Sequence, residues 1–459
     1  MIESGVAVVG FGRTGRAMLD FLLESGDPPS LMLYTDKPPD RDETVRTYKR
    51  RGVCFLAGPG DFARLGTAHT VVLSPGVDGR AERFQDLRNR GVSVVSEIEY
   101  AAGCNQATIV GVTGTNGKST TVSLIHHLLR RAGRSAFLAG NIGTPFVSLV
   151  RKMKKSDVAV LEISSFQLEE IRDFRPHVGV LLNLTPDHLD RYPGVDAYAE
   201  AKQRLFVNQQ PGDFAVANGD DPLVRQLLES VSRGKKIWFS SAGHLRGGVY
   251  LEKDEIHLDF SLKKDRVPLN TFPLPGPHNL ENYLAAAAAV HLLGVSGRDI
   301  AAGAADFCGL PHRMETVGIV EGVRFVNDSK ATNVDAAQKA ILSVNVPAVL
   351  ILGGKDKGGD FAGLEALIHQ RIKRVLLLGE ATDRIRAQLT GVSGILEEVE
   401  DLAEAVDRGF ALLRGGDGMV LLAPGCASFD MFNSFEHRGD VFRAAVTELG
   451  MRANCLGGG

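Results

Sequence analysis

Lys118, Ser119 and Thr120 close the run GVTGTNGKST at residues 111–120. A lysine and two hydroxyls at the end of a glycine-rich turn are phosphate-binding chemistry. An apolar run (107–112) precedes the turn and a helical pattern (122–129) follows it, so the local order is strand, turn, helix. Such a turn aims backbone N–H groups and a helix N-terminus at an anion, usually a nucleotide phosphate. In this reading Gly114, Thr115, Asn116 and Gly117 form the cradle, Lys118 reaches the outer phosphates, and Ser119 or Thr120 reaches Mg²⁺. The strict P-loop has a glycine where Val112 stands; here glycines stand at 111 and 114, so the turn is a variant. The alternative is a glycine-rich turn carrying an exposed lysine.

A second glycine-rich turn opens the chain, GVAVVGFGRTG at 5–15. Gly10, Gly12 and Gly15 lie between a strand and a helix pattern (16–23), and Asp36 ends the next strand (31–34, then Thr35). That context fits a nucleotide diphosphate held at the strand ends, with Arg13 and Thr14 in the turn. Ser74-Pro75-Gly76 adds a turn on the same expected rim. NAD(P) and a sugar-nucleotide diphosphate are equally allowed, and a tight βα turn that binds nothing is the plain alternative.

Three polar clusters follow strands downstream of Lys118. The first is GNIG (140–143), with Asn141. The second is LEISSFQL (161–168), with Glu162 inside an apolar strand. The third is NLTPDHLDRYP (183–193), where Asp187 and Asp190 flank His188. A carboxylate in an apolar strand costs several kcal/mol unless it is paired or binds a metal. Glu162 beside a P-loop is a natural Mg²⁺ ligand, and His188 could ligate a metal or touch substrate. Lys202, in YAEAKQRLF (198–206), reads by itself as a solvated helix lysine.

A last group of loops is rich in glycine, serine and lysine. HRME (312–315) is followed by VNDSKATN (326–333), with Asp328, Ser329, Lys330 and Thr332. LGGKDKGGDF (352–361) carries Lys355 and Lys357, and APGCASFDMFNSFEHRG (423–439) closes the series. Ordinary turn chemistry explains each singly. Together after three strands they form a rim suited to carboxylates or phosphates.

The elements that must position these residues alternate β and α throughout. The expected fold class is α/β with three blocks: residues 1–105 Rossmann-like, 106–310 around the P-loop with a parallel sheet and a small hairpin region (249–260), and 311–459 Rossmann-like, hinged at 309–311. The 459 residues suffice for two to four domains. The net charge of −3 excludes bulk attraction to nucleic acid or anionic lipid. Five scattered cysteines without C-x-x-C argue against a disulfide framework or zinc site, and Cys426 reads as a buried thiol. No apolar run is long enough to span a membrane, and a cytoplasmic setting is expected.

The chain resembles the Mur ligase family along essentially its whole length, in its D-glutamate-adding branch. TGTNGKST is shared across Mur ligases and folylpolyglutamate synthetases; GFGRTG, ISSFQL, DHLDRYP, LPHRME, NDSKATN and CASFDMF discriminate further. The resemblance implies three domains, for UDP-substrate, ATPase, and ATP plus amino acid. It implies ATP-dependent joining of D-glutamate to UDP-N-acetylmuramoyl-L-alanine through an acyl phosphate and a tetrahedral intermediate, so the first turn would hold a UDP diphosphate rather than NAD(P).

By the same resemblance, Gly12, Arg13, Thr14, Gly15, Ser74, Pro75 and Gly76 meet the UDP-substrate, Asp36 or Thr35 the uracil, and Asn141 the muramoyl-alanyl portion. Ser119 and Glu162 hold one Mg²⁺; His188 and a carbamylated Lys202 hold a second. Asn279 and Asn282 contact adenine, Arg313 the phosphates and Asp328 the ribose. Lys330, Thr332, Lys357, Ser428 and Phe435 hold D-glutamate, with Lys355 leaving open which lysine grips it. An ATP site shared by two blocks requires closure about 309–311. A monomer is expected, with no nucleic-acid partner and no membrane insertion.

Overall fold

The computed structural model describes residues 5–24, 30–37, 43–187, 191–231, 233–260, 264–274, 276–356 and 358–456 of the 459-residue chain. The chain forms two compact units, 1–307 and 308–459. The first contains two sheets and so two of the three α/β domains.

The N-terminal sheet is all parallel, in the order Cys54–Ala57, Leu31–Thr35, Val6–Val9, Thr70–Leu73, Ser93–Ser96. Its central strand is apolar on both faces because helices cover both, as a parallel sheet requires. Val9 ends against Gly10, whose φ of +97° suits glycine, and the helix Arg13–Leu23 follows. A Cβ on Gly15 would overlap the Gly10 carbonyl, so the close helix–strand approach requires glycine there. The strand Cys54–Ala57 was not anticipated from sequence.

The middle sheet has nine strands. From one edge these are Ala136–Gly140, Val158–Glu162, Thr108–Thr113, Val178–Leu181, Phe214–Asn218, Lys235–Ser240 and Val249–Glu252, all parallel, then Glu255–Leu258 and Asp265–Pro268, antiparallel. The expected hairpin turns at Lys253 and Asp254, both at positive φ. The helix Pro277–Leu292 runs through the core, with Ala285–Ala289 completely buried. Alanine lets it lie close against the P-loop helix, Lys118–Arg131.

Two carboxylates, Glu97 buried and Glu99 half-buried, join the two sheet domains within this unit. Glu97, at the start of the helix Glu97–Cys104, accepts the Val147 N–H at 2.7 Å, and burial pushes its carboxyl up to about 7. Glu99 accepts the N–H groups of Arg172, Asp173 and Phe174.

The second unit has six strands, ordered Glu315–Val320, Val323–Asn327, Gly418–Leu422, Ala348–Gly353, Ile372–Leu378, Leu396–Glu398. The first pair is antiparallel and the rest are parallel. The break between units falls at residue 307, three residues before the boundary expected from sequence.

Candidate functional site

The strand Thr108–Thr113 delivers the chain into the glycine-rich turn, and Gly117 precedes the following helix in the left-handed region, with φ +83°. No side chain caps that helix N-terminus, so its first N–H groups face the turn. Lys118 folds back and donates from Nζ to the carbonyls of Gly114 (2.9 Å) and Thr115 (2.7 Å). The turn is braced from 183–185: Asn116 N–H donates to Asn183 Oδ1, Thr115 N–H to the Asn183 carbonyl, and Thr115 Oγ1 to the Thr185 carbonyl. Asn282 lies beneath it, buried, accepting a bond from Thr121 Oγ1 at 3.2 Å. Asn279 is half-buried one turn earlier on the same helix.

Glu162 ends the neighbouring strand, 3% exposed. One carboxylate oxygen accepts from Ser119 Oγ at 2.7 Å and the other from Asn141 Nδ2 at 3.1 Å. Three of the sequence clusters therefore converge on one carboxylate at the rim where the parallel strands end. Ser119 and Glu162 are hard oxygen donors of the kind Mg²⁺ shares with phosphates, and they fit that ion. His188 lies outside the described residues, and among those described no group of three His, Cys, Asp or Glu side chains could hold a metal.

Lys202 corrects the reading drawn from its own helix. It is 1% exposed, not solvated. Its Nζ donates to the Gly114 carbonyl at 2.9 Å and lies 3.4 Å from Thr113 Oγ1. Burial first, and then the neighbouring Lys118 charge, push its ammonium well below the usual lysine range; Asp187 and Glu162 oppose this. Its Nζ also sits 4.5 Å over the Tyr198 ring. Non-local packing causes the difference: the helix Val195–Gln203 docks its last turn against the P-loop.

In the N-terminal domain, Gly12, Arg13 and Thr14 start the first helix, and Ser74 Oγ lies 3.5 Å from the Gly10 carbonyl. Both glycine-containing turns, 10–15 and 74–76, thus sit on one rim. Asp36 is engaged by Arg83 at 2.7 and 3.3 Å, which holds its carboxyl below the usual range, and Tyr34 donates to it at 3.1 Å. Arg83 itself stacks on Phe62, 4.9 Å from the ring centroid. Thr35 Oγ1 donates to the Lys37 carbonyl.

The second unit gathers a set of its own. Asp328 is buried, which pushes its carboxyl up to about 6 against the opposing Met314 N–H and Arg313 charge. Lys330 Nζ lies 3.9 Å over the Phe435 ring. Ser428 is buried, Thr332 and Arg313 are half-buried, and Lys355 is exposed in a bridge to Ala427. Lys357 lies outside the described residues. Cys426 is buried, as expected of a structural thiol.

Sequence reasoning missed the residue that holds these loops together. Arg438 is 1% exposed and uses every guanidinium nitrogen: Nε donates to Ser329 Oγ, Nη1 to the Cys426 and Ala427 carbonyls, and Nη2 to the Ser329 and Cys426 carbonyls. Burial lowers its pKa to about 10. The signal was its place in the closing motif, one turn beyond Phe435, where a charged residue faces inward.

Fold and site define an α/β protein of mostly parallel sheets with a glycine-rich strand–turn–helix and a buried lysine and carboxylate beside that turn. Three family models match: "Mur ligase MurD-like, N-terminal domain" over residues 4–96, "Mur ligase middle domain" over 112–290, and "Mur ligase, glutamate ligase domain" over 312–426. The chain belongs to the Mur ligase family. It is 39% identical over 450 residues to the UDP-N-acetylmuramoylalanine--D-glutamate ligase of Alkaliphilus metalliredigens, covering 97% of this chain and 98% of that one. It is 41% identical over 447 residues to the ligase of the same name from Pelotomaculum thermopropionicum, covering 97% of each. Among solved structures, MurF from Acinetobacter baumannii aligns with a TM-score of 0.59 at 19% identity, covering 91% of this chain and 85% of that one. UDP-N-acetylmuramate-alanine ligase MurC from Thermotoga maritima gives 0.57 at 16% identity, covering 97% and 99%. At those identities the likeness is one of fold.

Proposed function

We propose that the chain is the ATP-dependent ligase that joins D-glutamate to UDP-N-acetylmuramoyl-L-alanine, in cytoplasmic peptidoglycan precursor synthesis. One observation carries the site reading: Lys118 and Lys202 both donate to the Gly114 carbonyl of the cradle, and Ser119, at the start of its helix, joins Asn141 on Glu162. Near-full-length relatives of about 40% identity that carry the D-glutamate ligase name support the substrate assignment.

The chemistry follows from what these groups can do. A carboxylate is a poor electrophile, so the alanyl carboxylate first attacks the γ-phosphorus of ATP and ADP leaves. The amine of D-glutamate then adds to the acyl carbon. The tetrahedral adduct collapses, expelling phosphate that carries one former carboxylate oxygen. Lys118 and the helix N-terminus bind and orient the phosphates, supplying charge rather than covalent help. Ser119 and Glu162 would hold Mg²⁺, which when bound neutralises phosphate charge. Asn141, tied to Glu162, would orient the alanyl end of the substrate. The roles of Asn279, Asn282, Arg313 and Asp328 toward ATP, and of Lys330, Thr332, Lys357, Ser428 and Phe435 toward D-glutamate, belong to the same proposal, as does the UDP-site set at 12–15, 36 and 74–76.

Lys202 fits a carbamate. Burial favours its neutral amine, the form that can attack CO₂ and release one proton to give an anion where the bare amine lies. With His188 it would then complete a second cation site.

The acyl-phosphate route has an isotopic signature. With the alanyl carboxylate labelled with ¹⁸O, released phosphate should carry one ¹⁸O atom. Unlabelled phosphate would rule the route out.

A further inference from the structure

The loop after Thr70–Leu73 carries Ser74-Pro75-Gly76 and continues to Arg80, which crosses to the middle domain of the same unit. Arg80 Nη2 donates to the Arg191 carbonyl at 3.0 Å, and Nη1 lies 3.8 Å from Glu169. Asp78 fixes the guanidinium at 3.1 and 3.3 Å. Arg191 meets the same two acids from the other side, 2.6 Å from Glu169 and 3.5 Å from Asp78, and lies 3.9 Å over the Phe166 ring. Two cations and two carboxylates thus balance, with Glu169 only 8% exposed.

This clasp is continuous with the Lys202 site. Tyr192 stacks on Phe166 at 6.1 Å and packs 5.4 Å from Tyr198, whose ring lies under Lys202 Nζ. Arg80 is also 5.1 Å from the Tyr192 ring. One arginine on the expected UDP-substrate rim therefore holds both the Arg191 backbone and the aromatic stack against Lys202.

We propose that Arg80 is a positioning residue for the ligase reaction: it sets the Lys202 site in register with substrate bound on the N-terminal rim. The proposal rests on the function argued above. A guanidinium suits the task because its fork reaches a carbonyl and two carboxylates at once, which an ammonium cannot.

The test is Arg80→Ala and Arg80→Lys in the full chain, with kcat, the KM of UDP-N-acetylmuramoyl-L-alanine and melting temperature measured beside the wild type. Arg80→Ala should lower kcat about 10- to 100-fold, with KM within about threefold and melting within a few degrees of wild type. Arg80→Lys should recover only part of the loss, and it carries the test if the alanine variant fails to fold. An unchanged kcat in both variants would overturn the proposal. So would a raised KM with kcat intact, which would make Arg80 a substrate contact. A wild type that does not turn over this substrate would overturn the ligase reading instead, so the two failures are distinct.

Discussion

Lys202→Ala should lower kcat by about 10²- to 10³-fold, the usual cost of removing one fixed electrostatic group from a closed site. The loss should fall on turnover rather than folding, because alanine leaves no buried charge and its helix keeps its packing. The same variant tests the carbamate. Wild-type protein equilibrated with ¹³C-bicarbonate should show one carbamate resonance that Lys202→Ala lacks. Only the neutral amine captures CO₂, so the resonance and the activity should weaken together as pH falls. A wild type without the resonance, at full activity, would leave Lys202 acting as a bare amine donating to the Gly114 carbonyl.

Arg438→Met should destabilise the second unit by about 3–5 kcal/mol, because removing a charged donor leaves two buried carbonyls unpaired. The stranded groups are the carbonyls of Ser329 and Cys426; Ser329 Oγ keeps its bond to the Phe435 carbonyl, and the Ala427 carbonyl keeps the Lys355 N–H. Those atoms belong to the loops that carry Lys330 and Ser428, so the KM for D-glutamate should rise as well. Arg438→Lys should rescue little, since one ammonium cannot span acceptors on two loops. Denaturant unfolding of the full chain measures the stability change. A methionine variant as stable as wild type would contradict the reading.

What could be read from sequence was local. The P-loop, the N-terminal glycine turn, the hairpin at 249–260 and the strand ends bearing Asn141 and Glu162 each lie in a stretch whose pattern fixes its own geometry. What could not be read depends on distant packing. Lys202 looked solvated because its burial is created by Thr113 and Gly114, about ninety positions away. Arg438 closes on Ser329 across 109 positions. Arg80 and Arg191, 111 apart, look like ordinary surface arginines until two domains bring them to Glu169 and Asp78. Asp36 could be read as an acid at a strand end, but not its pairing with Arg83, 47 positions away. Short strands such as Cys54–Ala57 and Leu396–Glu398 fell below what alternation can signal.

The central claim is tested most directly by phosphate release from Mg·ATP and UDP-N-acetylmuramoyl-L-alanine, with D-glutamate, L-glutamate, meso-diaminopimelate or L-lysine added in turn. Turnover with D-glutamate alone is the predicted result. Turnover only with another amino acid, or with none of the four, would contradict it.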